Sequence, residues 1–168
     1  RAVSIDGVVT PPEQAKVIYA ETALRMLEAV EAAFPTADIF IAAAAVADYR
    51  VENPLPKKRK RGGDTLTLEF VPNPDIAAHV GLRKASHQMT VGFAAETHDF
   101  IQHAQRKLKE KQLDLIVAND VSSADSGFGA DTTRAWFITP DQDAEALPLL
   151  SKEELARRLF TRLIASVD

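Results

Sequence analysis

Residues 38–50 read Asp38-Ile39-Phe40-Ile41-Ala42-Ala43-Ala44-Ala45-Val46-Ala47-Asp48-Tyr49-Arg50. The first half is continuously apolar, the mark of a strand in a sheet covered on both faces. Run length alone would suit a buried helix equally well. The preceding segment favours the strand. Residues 23–33 carry Met26, Leu27, Val30 and Ala33 at helical spacing, with Thr22 ahead of them and Pro35 closing them. A helix leading into a buried strand is the unit of an α/β fold.

The flanks extend that pattern. Val17-Ile18-Tyr19 predicts a short strand before the helix. Residues 51–64 hold Pro54, Pro56, the run Lys57-Lys58-Arg59-Lys60-Arg61 and Gly62-Gly63, and predict a mobile basic flap. Residues 65–70 alternate, with Leu66, Leu68 and Phe70 on one face of a half-buried strand. Asn73-Pro74-Asp75 predicts a helix start, Asn73 as cap and Pro74 at the first helical position, running to about residue 84. Further strands are expected at 90–95, 113–118, 134–139 and 147–150, and a helix at 100–111. Ser151-Lys152-Glu153-Glu154 is a capping box opening a last helix whose Leu155, Leu159, Leu163 and Val167 face inward. Alternating strands and helices imply a three-layer Rossmann-like sandwich with a mainly parallel sheet.

Composition narrows the function classes. The 168 residues suffice for one domain; 46% are hydrophobic and 26% charged. Lys and Arg number 20 against 24 Asp and Glu, a net charge of -4, which argues against nucleic acid as the partner. The lack of cysteine excludes disulfides, thiolate metal sites and cysteine nucleophiles. His79, His87, His98 and His103 show no metal-ligand spacing. No apolar run reaches membrane-spanning length and residues 1–12 do not form a signal peptide, so the expectation is a cytoplasmic chain with no membrane partner. The chain opens without Met inside ordered-looking sequence, which reads as the later, N-terminally incomplete part of a larger unit.

Polar residues gather after strands, where open parallel sheets bind ligands. Asp48, Glu96 and the pair Asn119-Asp120 are candidates for ligand or magnesium contacts, or simply turn and strand-end residues. Lys107 and Lys111 share a helix face and repel by roughly a few tenths of a kcal/mol, which an anion would offset and which Glu110 also offsets. The run 57–61 suits a solvated tip, a nucleic-acid contact or a lid over a polyphosphate. Ala42, Ala43, Ala44 and their neighbours to Ala47 are small enough for a ligand, or a packed helix, to approach the backbone. Composition places Phe93 in the core, while Phe128 lies between Gly127 and Gly129. The Walker A, GxSxG and GxGxxG patterns are missing.

In order, these motifs are AAAAVADYR at 42–50, Lys58-Arg59-Lys60, Asn73-Pro74-Asp75-Ile76, GFAAET at 92–97, Lys107 with Lys111, DLIVANDV at 114–121 and Gly127-Phe128. Together they resemble the phosphopantothenoylcysteine synthetase family, the synthetase part of a bacterial bifunctional, multifunctional enzyme. The resemblance implies a Rossmann-like fold, a homodimer, a higher assembly when fused to the decarboxylase domain, and a ligase of coenzyme A biosynthesis. Its members join 4'-phosphopantothenate to L-cysteine with CTP and magnesium (Mg2+). The substrate carboxylate attacks the α-phosphorus to give an acyl-cytidylate and pyrophosphate, and the cysteine amine then displaces CMP.

Carried over residue by residue, the resemblance implies nucleotide contacts at Ala42, Ala43, Ala44, Asp48, Lys58, Pro74, Asp75, Ile76, Ala77, Phe93, Lys107 and Lys111. Lys58 matches the flap lysine and is the implied catalytic residue, steadying the acyl-phosphate intermediate. Lys107 and Lys111 hold phosphate oxygens. Asp48 contacts the nucleotide or positions the metal, and no metal ligand is assigned. Residues 1–168 resemble the C-terminal three-quarters of the synthetase domain. The family's opening strand, glycine-rich loop and SNxSSGKMG-like segment are absent, as is the decarboxylase domain. The link from Gly63 to the next strand is short. The chain is therefore expected to be impaired alone unless another chain supplies the missing piece. The alternative is a non-catalytic dimerisation or nucleotide-binding remnant of the family.

Overall fold

The computed structural model describes residues 13–55, 65–96, 100–121 and 131–166. The basic run 57–61 with Lys58, the loop around Phe128, His98 and Val167 lie outside the described residues. The elements are α1 (Ala23–Ala33), β1 (Ile39–Ala42), β2 (Tyr49–Val51), β3 (Phe70–Pro72), α2 (Ile76–Gly81), β4 (Met89–Glu96), α3 (Phe100–Glu110), β5 (Leu115–Asp120), β6 (Thr132–Ile138), β7 (Glu145–Ala146), β8 (Leu150–Ser151) and α4 (Lys152–Ile164).

Local chemistry sets several boundaries. The Thr22 hydroxyl accepts the Arg25 amide at 3.2 Å and starts α1. Pro35, inside a 3-10 turn, ends it. Ser151 accepts the Glu154 amide at 3.1 Å and starts α4. The main sheet runs β1-β4-β5-β6-β7, with β8 also on β6. It is parallel across β1, β4 and β5 and antiparallel from β6 onward. The sheet is thus mixed, and its central parallel strands make it Rossmann-like.

Each face of the sheet has its own core. Leu155, Leu159 and Leu163 of α4 pack on Val91, Leu115, Val117 and Phe137. On the opposite face, Ala104 and Leu108 of α3 pack on Ala94, Ile116, Ala118 and Ile138. Each buried leucine or isoleucine contributes about 1.5–3 kcal/mol relative to exposure. Gln88, 6% exposed, is fully engaged: its amide nitrogen donates to the carbonyls of Phe34 and Ala37, and its oxygen accepts the Ala85 amide. It ties the end of α1 to the start of β4.

Four expectations need correction. Val17, Ile18 and Tyr19 are exposed and in no strand. Strand propensity needs a ladder to act on, and neither described sheet includes this segment. Of residues 65–70 only Phe70 is in a strand, and Leu66 and Leu68 are exposed. Here β3 pairs antiparallel with β2, so Val51, expected in the flap, is strand instead. Helix α2 starts at Ile76, because Asp75 rather than Asn73 caps it, and ends at Gly81 rather than near residue 84.

Helix α2 meets the end of α3 backbone to backbone. A Cβ on Gly81 would lie 2.0 Å from the Lys111 carbonyl oxygen. After α3 the chain turns through Gln112 at φ 50°. Leu113 N–H donates to Leu108 and Gln112 N–H to Lys109, a Schellman end with a non-glycine residue in the left-handed position. Replacing Gly81 with Ala is expected to lower stability by about 2 kcal/mol through overpacking. Replacing Gln112 with Gly is expected to raise it by about 1 kcal/mol by removing the left-handed penalty. Urea midpoints of the two variants, shifting in opposite directions, check both.

Candidate functional site

A cavity of about 400 Å³ opens beyond the carboxyl ends of β1 and β4. Every described residue of the expected site lines it: Ala42, Ala43, Ala44, Asp48, Pro74, Asp75, Ile76, Ala77, Phe93, Lys107 and Lys111. These positions come from β1 and its following loop, the entry to α2, β4, and α3 with its terminal turn. Gly92 and Ile116 line it from the sheet, and Met26 and Val30 from α1. Phe93 is 36% exposed here, not in the core as composition suggests. Asp120 pairs in register with Glu96 and Arg134 and is not among the lining residues.

The alanines after β1 leave their backbone open to both sides. Ala43, Ala44, Val46 and Ala47 also line a second cavity of about 950 Å³, walled by Thr22, Tyr49, Arg50 and Glu52. One loop thus partitions two adjacent cavities. Asn73 lines both and clips this loop in place. Its side-chain amide donates to the Ala47 carbonyl at 2.8 Å, and its backbone N–H to the Asp48 carbonyl at 2.7 Å. Asn73 Oδ1 is buried without a hydrogen-bond partner among the described residues. The sequence alone predicts Asn73 as a helix cap, a common role of asparagine before such a turn. The loop it holds is 26 residues upstream, a pairing that no local pattern announces.

Among the described residues, charge in the first cavity is balanced. Its charged lining residues are Asp48, Asp75, Lys107 and Lys111. Lys111 Nζ lies 2.9 Å from Asp75 Oδ2, while Asp75 Oδ1 accepts the Ala78 amide at 3.0 Å. Burial works to raise the Asp75 pKa. The Ala78 amide, the Lys111 ammonium and the Ala77 amide outweigh it and hold the carboxyl below its ordinary value of 3.8. The stabilisation from this lowered pKa is therefore present above pH 3.8 and is lost as pH falls through the depressed value. Glu110, next in sequence to Lys111, faces Arg106 at 3.9 Å. His79 of α2 meets Glu31 of α1 at 2.9 Å, joining two walls of the cavity. Among the described residues, no group of three or more His, Asp or Glu side chains is placed to hold a metal ion. No helix among them is long and apolar enough to cross a membrane.

Fold and cleft together define the class: a Rossmann-like α/β domain with its cleft beyond the carboxyl ends of parallel strands. The sequence model described as DNA/pantothenate metabolism flavoprotein C-terminal domain matches residues 2–167, and the chain belongs to that family. It is 42% identical over 162 residues to the Coenzyme A biosynthesis bifunctional protein CoaBC of Escherichia coli (strain K12), covering 95% of this chain and 39% of that protein. The chain spans about two-fifths of the length of the curated relatives it matches. The crystal structure of the C-terminal domain of a CoaBC protein superposes with a TM-score of 0.75 at 33% identity, over 95% of this chain and 71% of that one. A Cab2 mutant in complex with phosphopantothenate-cysteine shares the fold, with a TM-score of 0.66 at 20% identity, over 88% of this chain and 51% of that one.

Asn73→Ala is expected to leave the Ala47 carbonyl without its donor and to cost about 1–3 kcal/mol. A lowered thermal midpoint, with faster amide exchange confined to residues 43–48, checks it.

Proposed function

We propose that the chain is the synthetase part of a coenzyme A biosynthesis enzyme, joining 4'-phosphopantothenate to L-cysteine with CTP. The observation that carries this reading is the convergence in one cavity of residues singled out by resemblance from four separate stretches of the sequence. In this reading the cavity holds the nucleotide and its phosphates. Lys107 and Lys111 meet phosphate oxygens, and the amides near Pro74 to Ala77 assist. The neighbouring cavity across the 43–47 loop takes the acid substrate, so that its carboxylate reaches the α-phosphorus past alanine side chains. That attack forms the acyl–O–P bond and breaks the bond to pyrophosphate. The cysteine amine then attacks the acyl carbon, loses a proton and expels CMP.

Lys58, outside the described residues, is assigned to the flap that steadies the developing charge. Asp48 suits a magnesium ion borne mainly by phosphates and water, since it is an exposed carboxylate at the cavity. When bound, the ion neutralises phosphate charge. Residues 1–168 form the C-terminal three-quarters of the domain in this reading, with an upstream strand adding to β1. Among the described residues β1 pairs on one side only, and the solved CoaBC domain extends beyond the matched region.

Incubation with CTP, magnesium and phosphopantothenate, with and without the upstream segment, is expected to release pyrophosphate at least when the segment is present. Absence of release with the segment restored rejects the ligase reading and leaves a nucleotide-binding or dimerisation remnant. In the active form, Lys107→Ala should weaken CTP binding by roughly 10- to 100-fold. Lys58→Gln should spare binding and slow turnover by about 10²-fold or more.

The homodimer is assigned to the β2-β3 ribbon. Register places Tyr49, Val51, Phe70 and Pro72 on one face. Tyr49 is 61% and Phe70 58% exposed, an apolar surface that a second copy would cover. Light scattering should report a dimer for the wild type and a monomer for Phe70→Asp.

A further inference from the structure

Lys111 already has an anion. Its ammonium lies 2.9 Å from Asp75 Oδ2, although both residues line the cavity assigned to phosphates. The pair is held from both ends. Asp75 is fixed by its cap bond to Ala78, and Lys111 follows directly on α3, whose end abuts Gly81 of α2. With Asp48 and Lys107 included, the formal charges of the described lining residues cancel. A cavity built only to grip a polyanion would show a positive excess.

We propose that Asp75 is an internal counter-ion that competes with the ligand's phosphates for Lys111, so that Lys111 exchanges Asp75 for a phosphate oxygen on binding and returns to it on release. Asp75 is then a positioning residue that acts through Lys111. It keeps the lysine oriented in the empty site and weakens the hold on the departing anion. This inference rests on the reading of the cavity as a nucleoside triphosphate site and adds to it a means of letting pyrophosphate go. The carboxyl is suited to the part because its pKa lies below the ordinary value, so it is ionised at neutral pH.

The test uses Asp75→Asn, since asparagine caps a helix as well as aspartate does. Calorimetry on the full chain measures binding of CTP with magnesium and of inorganic pyrophosphate alone. The variant should bind both about three- to tenfold more tightly than wild type, the range of a half-exposed ion pair. Where turnover is measurable, KM for CTP and kcat should fall together as release slows. Lys111→Ala should abolish the gain, so Asp75→Asn in that background changes nothing. Asp75→Ser, which also caps but carries no charge, must show the same gain and guards against a folding defect peculiar to asparagine. Wild type that binds with the Kd unchanged or weakened in both Asp75 variants overturns the counter-ion role and spares the nucleotide reading. Failure of wild type and variants alike to bind either probe overturns both. Variants that bind pyrophosphate where wild type does not support the counter-ion alone.

Discussion

The closest constraint in this molecule is the contact between the Gly81 position of α2 and the Lys111 carbonyl at the end of α3. No side chain fits between them, so the two helices are docked by backbone surface. That contact decides where Asp75 and Lys111 stand, since one precedes α2 and the other follows α3. The strained turn at Gln112 belongs to the same arrangement, because it redirects the chain into β5 immediately after the contact. The cavity is therefore set by helix docking first and by side-chain choice second.

Within that frame, the site divides its tasks among residues of different kinds. Alanines after β1 supply access to backbone, Asn73 supplies the clip that keeps their loop in place, and the lysines of α3 and its terminal turn supply charge. The second cavity across the loop gives the arrangement two chambers with a thin wall. In the proposed ligation, this geometry would let the reacting atoms meet within a few ångströms while the rest of each molecule is held apart.

Much of the fold was legible because it rests on local chemistry. The apolar run from Ile39, the Thr22 and Ser151 caps, and the stripe of Leu155, Leu159 and Leu163 each carry their meaning within a few neighbours. Val17 to Tyr19 lie outside the described strands despite their strand propensity. Asn73 misled because its side chain serves a distant loop, while Asp75 two positions on takes the cap. The site residues were placed by family motifs, and the described ones line one cleft. The Asp75–Lys111 pair spans 36 positions from 75 to 111 and depends on two helices meeting, so spacing alone does not reveal it.

The two cores on opposite faces of the sheet have a consequence for how such a domain ages in evolution. The α4 side carries adhesion without chemistry, for none of its leucines reaches the chambers. Substitutions on that side are therefore expected to tune toughness more than the shape of the chambers. The cavity side lies across the sheet from them, touched mainly through Ile41, which packs on the α4 core and also lines the cavity.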